Sequence, residues 1–151
     1  MEIEELNAVD VAGYDQDFYL WTQQQAALLR QGSLTAVDVE NLAEEIESMG
    51  KSDQRSLGSF LENILMHLLK WQFQPERRCN SWIESIGNGR NEAERLLEYS
   101  PSLAPHIPAL LTAEYRRARK EAARETRLPL ATFPEQCPFT VDQIIGDYWP
   151  E

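Results

Sequence analysis

Cysteine and histidine are scarce in this chain, with two of each among 151 residues. Cys79 and Cys137 lie far apart and form neither a CxxC pair nor a Cys/His cluster, which removes the zinc-ribbon and dithiol redox classes. Two reduced thiols of a cytoplasmic protein are the simpler reading than one disulfide. The histidines, His67 and His106, belong to no HExxH or ExxH sequence, so the usual way in which helical bundles hold metals is missing. No GxSxG elbow and no glycine-rich phosphate loop is present either. We therefore expect no metal, no cofactor and no catalytic residue. Long apolar runs are lacking too: nothing approaches the roughly 18 continuous residues of a membrane span. Met1-Glu2-Ile3-Glu4-Glu5 has the wrong charge for a secretory signal.

Basic residues are nearly missing from the first third. Residues 1–50 hold eleven acidic side chains against one basic, Arg30, whereas 51–100 balance seven against seven and 101–151 hold seven acidic against six basic. Almost all of the formal net charge of −11 therefore lies at one end. Such a surface repels phosphate backbones, so nucleic acid and membrane are not expected partners, and a basic protein surface is.

What the sequence has is helical periodicity. The length suits one domain, and 42% hydrophobic against 26% charged residues is ordinary globular composition. The pattern predicts an all-α, up-and-down bundle of about five helices (residues 14–127), an N-terminal arm (1–13) and an irregular segment packed across the bundle (128–151). The first helix should be capped by Asp15 and bury Phe18, Trp21, Gln25, Leu28 and Leu29. The second, capped by Thr35 and stopped by Gly50, carries Val39, Leu42, Ala43, Ile46 and Met49 at i, i+3, i+4, i+7 spacing, which reads as a stripe turned to a core. A third runs from Ser52 or Asp53 to about Gln74 with Leu57, Leu61, Ile64, Leu65, Leu68 and Trp71 inward. A fourth covers about Arg77 to Tyr99, weakened at Gly87-Asn88-Gly89, where two glycines cost about 2 kcal/mol and a bend is expected. The fifth spans about Pro105 to Thr126. Beyond it, Thr140-Val141-Asp142-Gln143 fits a capping box for a short helix near Val141 to Ile145.

Few side chains suggest a site. If the second and third helices form a hairpin about Gly50, Glu45 and His67 stand roughly 16 Å apart along the axis, too far for a carboxylate–histidine pair. The corner around Pro75 concentrates His67, Trp71, Gln74, Arg77, Arg78 and Trp82, and arginines beside tryptophans can hold an anion or a partner loop. Such a set can equally fasten a helix corner. Arg90 lies about 50° from the centre of its helix's apolar face, so its guanidinium needs a buried partner. Glu114 is the expected one, with Glu62 as the alternative. The basic run from Arg116 to Arg127, interleaved with Glu121 and Glu125, reads as a salt-bridged outer face.

A family resemblance rests on Tyr14-Asp15-Gln16-Asp17-Phe18-Tyr19-Leu20-Trp21, Asn41-Leu42-Ala43-Glu44-Glu45-Ile46-Glu47 and His67-Leu68-Leu69-Lys70-Trp71 with Gln74-Pro75. It continues through Ser81-Trp82, Ser100-Pro101-Ser102-Leu103, Glu125-Thr126, Phe133-Pro134 and Cys137-Pro138. In these the chain resembles the bacterial family called domain of unknown function twenty-nine; Gly87-Asn88-Gly89 departs from that pattern. The resemblance implies an α-helical bacterial domain and no particular reaction. Two function classes follow: a small cytosolic interaction or regulatory module that binds a protein or a second copy, or a hydrolase or small-anion binder using a cleft near His67, Trp71, Arg78 and Trp82. The lack of catalytic constellations favours the first.

Overall fold

A computed structural model describes residues 13–151; the arm's residues 1–12 lie outside the described residues. The described chain is all-α, as the periodicity predicts: α1 (Phe18–Arg30), α2 (Val39–Phe73), α3 (Asn80–Tyr99), α4 (Ile107–Thr126) and α5 (Val141–Ile145), with short 3-10 turns at Pro75–Arg77, Pro101–His106 and Leu130–Thr132 and no strand among the described residues. The described residues form two compact units, 13–50 and Lys51–Glu151.

In the first unit α1 starts one turn-residue pair later than expected. Asp17, not Asp15, is its cap, accepting from the Leu20 amide at 3.0 Å. Gly32 closes it in the left-handed region, at φ 74°. α1 and the start of α2 run antiparallel, because Gln25 Oε1 accepts from the Asp38 amide (2.7 Å), Trp21 Nε1 donates to Asp38 Oδ2 (3.1 Å) and the Tyr14 hydroxyl donates to Glu45. The carboxylate beside it pushes the Tyr14 phenol up to about 12. Asp38 caps α2 in place of Thr35: it precedes the first helical residue, and its carboxylate accepts from the Asn41 side chain at 2.8 Å. The apolar core here is small. Trp21, Gln25 and Leu28 are buried, whereas Phe18 and Leu29, expected inside, are exposed. More of a departure is the α2 stripe, since Val39, Ile46 and Met49 are 62, 67 and 69% exposed.

Gly50 does not stop the helix. α2 continues through it to Phe73, so the hairpin that separated Glu45 from His67 does not exist. One interior glycine costs only about 1 kcal/mol, and Lys51 after it supplies no apolar side chain for the contact that usually seals a glycine-terminated helix.

In the second unit the α2 stripe Leu57, Leu61, Ile64, Leu65, Leu68 and Leu69 is fully buried. α3 lies antiparallel to it: Asn63 donates to the Ser85 carbonyl (3.2 Å), and Lys70 stands over the Trp82 ring. α4 runs parallel to it, with Glu114 against Gly58 and Glu125 bonded to Lys70. α3 passes through Gly87-Asn88-Gly89 without interruption, and at Gly89 it packs closely on α2: a Cβ there would stand 2.7 Å from Ile64 Cγ1. The C-terminal segment adds Phe133, Phe139 and Ile144 to the core. Its α5 has the expected capping box, with Thr140 Oγ1 accepting from Gln143 N (3.2 Å) and Thr140 N donating to Gln143 Oε1 (2.9 Å).

Candidate functional site

The corner after α2 divides into two structures. The first is a polar cleft of about 600 Å³ lined by Lys70, Gln74, Arg77, Trp82, Glu125, Thr126 and Arg127. Lys70 is its buried charge: the ammonium sits 2.6 Å from Glu125 Oε2 and 4.8 Å from the centroid of the Trp82 ring. Arg127 ends α4 at φ 59°, a left-handed conformation that usually falls to glycine. Three cations against one carboxylate give the cleft the chemistry of an anion site.

The second structure fastens the C-terminus. Arg78 donates from Nε to the Trp71 carbonyl (2.8 Å) and lies over the Trp71 ring at 4.7 Å. Trp71 in turn packs on Trp149 (4.9 Å between centroids) and donates from Nε1 to the Pro150 carbonyl at 3.1 Å. Of the six residues singled out from sequence, Gln74, Arg77 and Trp82 thus share the cleft, and Trp71 and Arg78 hold each other apart from its lining. His67 is buried and does not line the cleft. Its Nδ1 faces the Asn63 carbonyl at 2.7 Å, which fixes the proton there and leaves the lone pair on Nε2. Burial lowers its pKa, Lys70 adding to the effect. Glu125 and Arg127 were expected on a salt-bridged outer face and Lys70 was not singled out; the legible signal was a lysine in the otherwise apolar run Leu68-Leu69-Lys70-Trp71.

Arg90 is buried as expected, but Glu114 is not its partner. The guanidinium donates to three C-terminal carbonyls, Ile144 (2.8 Å), Gln143 (2.9 Å) and Tyr148 (2.6 Å), and its centre lies 5.6 Å from the Trp149 ring. The reason is geometric supply: the last turn of α5 leaves carbonyls without intrahelical donors, and a five-donor fork satisfies several at once. Burial lowers the Arg90 pKa while Asp147 opposes the shift.

Glu114 instead pairs with Arg117 at 3.2 Å through Oε1, and its buried Oε2 has no hydrogen-bond partner. Glu62 stands beside it; desolvation first, then the Glu114 charge, raise the Glu62 pKa. A raised folded pKa means stability that is full below the unfolded value and lost as pH rises through the folded one. Glu62→Gln should therefore raise the melting temperature at pH 7, where its amide can donate to Glu114. The gain should shrink toward pH 4. A melting series over that range checks this, and a pH-independent difference would refute it.

Among the described residues no group of three or more His, Cys, Asp or Glu is placed to hold a metal ion, and no helix is long and apolar enough to cross a membrane. No curated protein and no solved structure matches the chain. The family model described as "Domain of unknown function DUF29" matches residues 13–150, essentially the whole of it. The chain belongs to that family.

Proposed function

We propose that this protein is a small cytosolic interaction module whose N-terminal unit binds a protein partner through a basic, amphipathic helix of that partner. The observation that carries the reading is the uncovered stripe on α2. Val39, Ile46 and Met49 fall within about a third of the helical circumference and stand 62, 67 and 69% exposed. Glu47 and Glu40 flank it on one side and Glu45 on the other, while Glu44 faces away from it. An apolar strip edged by carboxylates complements a helix that presents leucine-like anchors between lysines or arginines. The first third's charge, eleven acidic residues against one basic, draws the same class of partner from a distance.

The test is capture from native extract with cross-linking, using the wild type and the double variant Ile46→Asp/Met49→Asp. Both positions are exposed, so circular dichroism should be unchanged. The expected result is a protein whose basic amphipathic helix cross-links to residues 39–49 and whose capture is lost in the variant. Capture that survives the double substitution, or cross-links from an acidic or non-helical segment, overturns the proposal. So does a second copy of this chain as the sole occupant.

A further inference from the structure

The polar side chains of α4 leave a remainder. Each glutamate on the helix is engaged: Glu114 by Arg117, Glu121 by Arg124 at 2.5 Å and Glu125 by Lys70. Arg119 spends its fork on the Phe133 carbonyl (3.0 Å) and the Leu130 carbonyl (3.2 Å), and the Tyr115 hydroxyl donates to the Pro134 carbonyl. These bonds tie residues 130–134 to α4, so that the C-terminal segment forms a wall beside it. Arg116 and Lys120, one turn apart, have no carboxylate partner among the described residues.

Both line a cavity of about 750 Å³ between α4 and that wall. Its lining is mostly apolar, with Leu111, Leu130, Phe139 and Val141, and it includes one carboxylate, Glu135. Volume and lining fall within the range of small-molecule sites, which are mostly apolar with a few placed polar groups. We infer that this cavity binds a single-chain amphiphile with a carboxylate head, the chain on the apolar lining and the head between Arg116 and Lys120. The pairing of apolar lining with an excess of cations, Arg116, Arg119 and Lys120 against Glu135, selects this class: a purely polar anion would leave the apolar lining wet, and a cationic amphiphile would meet net like charge. The inference is independent of the partner proposed above, which engages a different unit.

The chain carries its own reporter. Cys137 lines the cavity and is half-buried, while Cys79 is exposed elsewhere. Burial raises the Cys137 pKa, so alkylation is best followed at alkaline pH, with Cys79 as the internal control. Laurate below its micellar concentration should slow alkylation of Cys137 and leave Cys79 unaffected, and calorimetry should give one site. Dodecyltrimethylammonium should give no protection. Arg116→Gln/Lys120→Gln, both on the exposed face of α4, should weaken laurate about tenfold or more. Failure of laurate to protect Cys137, equal protection by the cationic amphiphile, or unchanged affinity in the double variant would each overturn the inference.

Discussion

Arg90→Met should lower the melting temperature by about 10 °C, corresponding to about 3 kcal/mol for a chain of this size. Methionine keeps the unbranched apolar stem of the side chain, so the change removes chiefly the guanidinium. What it removes is the donor to the carbonyls of Gln143, Ile144 and Tyr148. Each hydrogen bond from a charged donor is worth about 1.5–3 kcal/mol, though the three share one fork and do not add fully. Ile144 is completely buried, so water cannot easily replace its lost donor. Arg90→Lys should recover only part of the loss, because an ammonium cannot span three acceptors as a planar fork does. Alongside the melting curve, chymotrypsin should cut the C-terminal segment around Phe139 and Tyr148 faster in the methionine variant than in wild type. A melting temperature within about 2 °C of wild type would show that the carbonyls find other donors.

The sequence made some of this plain and hid the rest for identifiable reasons. Helix type, the buried Leu57 to Leu68 stripe and the capping box at Thr140 follow from periodicity and local side-chain chemistry, which act within a few residues. Burial of Arg90 was legible for the same reason, since its angular position on α3 depends on α3 alone. Its partner was not, because the choice between Glu114 and the C-terminal carbonyls depends on where a proline-broken segment more than fifty residues later comes to lie. Gly50 misled because a glycine after an amphipathic stretch is the same signal whether the helix ends or absorbs it. The stripe of Val39, Ile46 and Met49 misled more usefully. Apolar spacing reports that a face wants covering and does not say by what. In the candidate corner, composition brought six residues together, whereas the fold sends Trp71 and Arg78 to the C-terminus and brings Lys70, Glu125 and Arg127 to Gln74, Arg77 and Trp82.

The two glycines of Gly87-Asn88-Gly89 should respond oppositely to the same substitution. At Gly87 an added Cβ meets nothing within 4 Å, so Gly87→Ala gains helix propensity without a steric cost and should stabilise by about 0.5–1 kcal/mol. At Gly89 the new Cβ would stand 2.7 Å from Ile64 Cγ1 and 3.5 Å from the Phe60 carbonyl oxygen. Cγ1 lies near the root of a completely buried, β-branched side chain that cannot swing aside, so the two helices must separate. Overpacking of this kind costs about 1–3 kcal/mol, more than the propensity gain, so Gly89→Ala should destabilise on balance. Gly89→Val adds two further methyl groups at the same contact and should cost about 3 kcal/mol or more, enough to lower the melting temperature by about 10 °C. Chemical denaturation of the three variants supplies the free energies. The partner of the clash can be tested in the same way: Ile64→Ala makes room, so Gly89→Ala should be less harmful on that background than in wild type, a coupling that a double-mutant cycle reads directly. Equal effects at the two glycines, or no coupling between Gly89 and Ile64, would mean that α3 does not approach α2 at this point. The glycine pair would then be a tolerated weakness of α3, whereas the 2.7 Å that would separate a Cβ at Gly89 from Ile64 Cγ1 makes Gly89 the residue that lets α3 seat on α2.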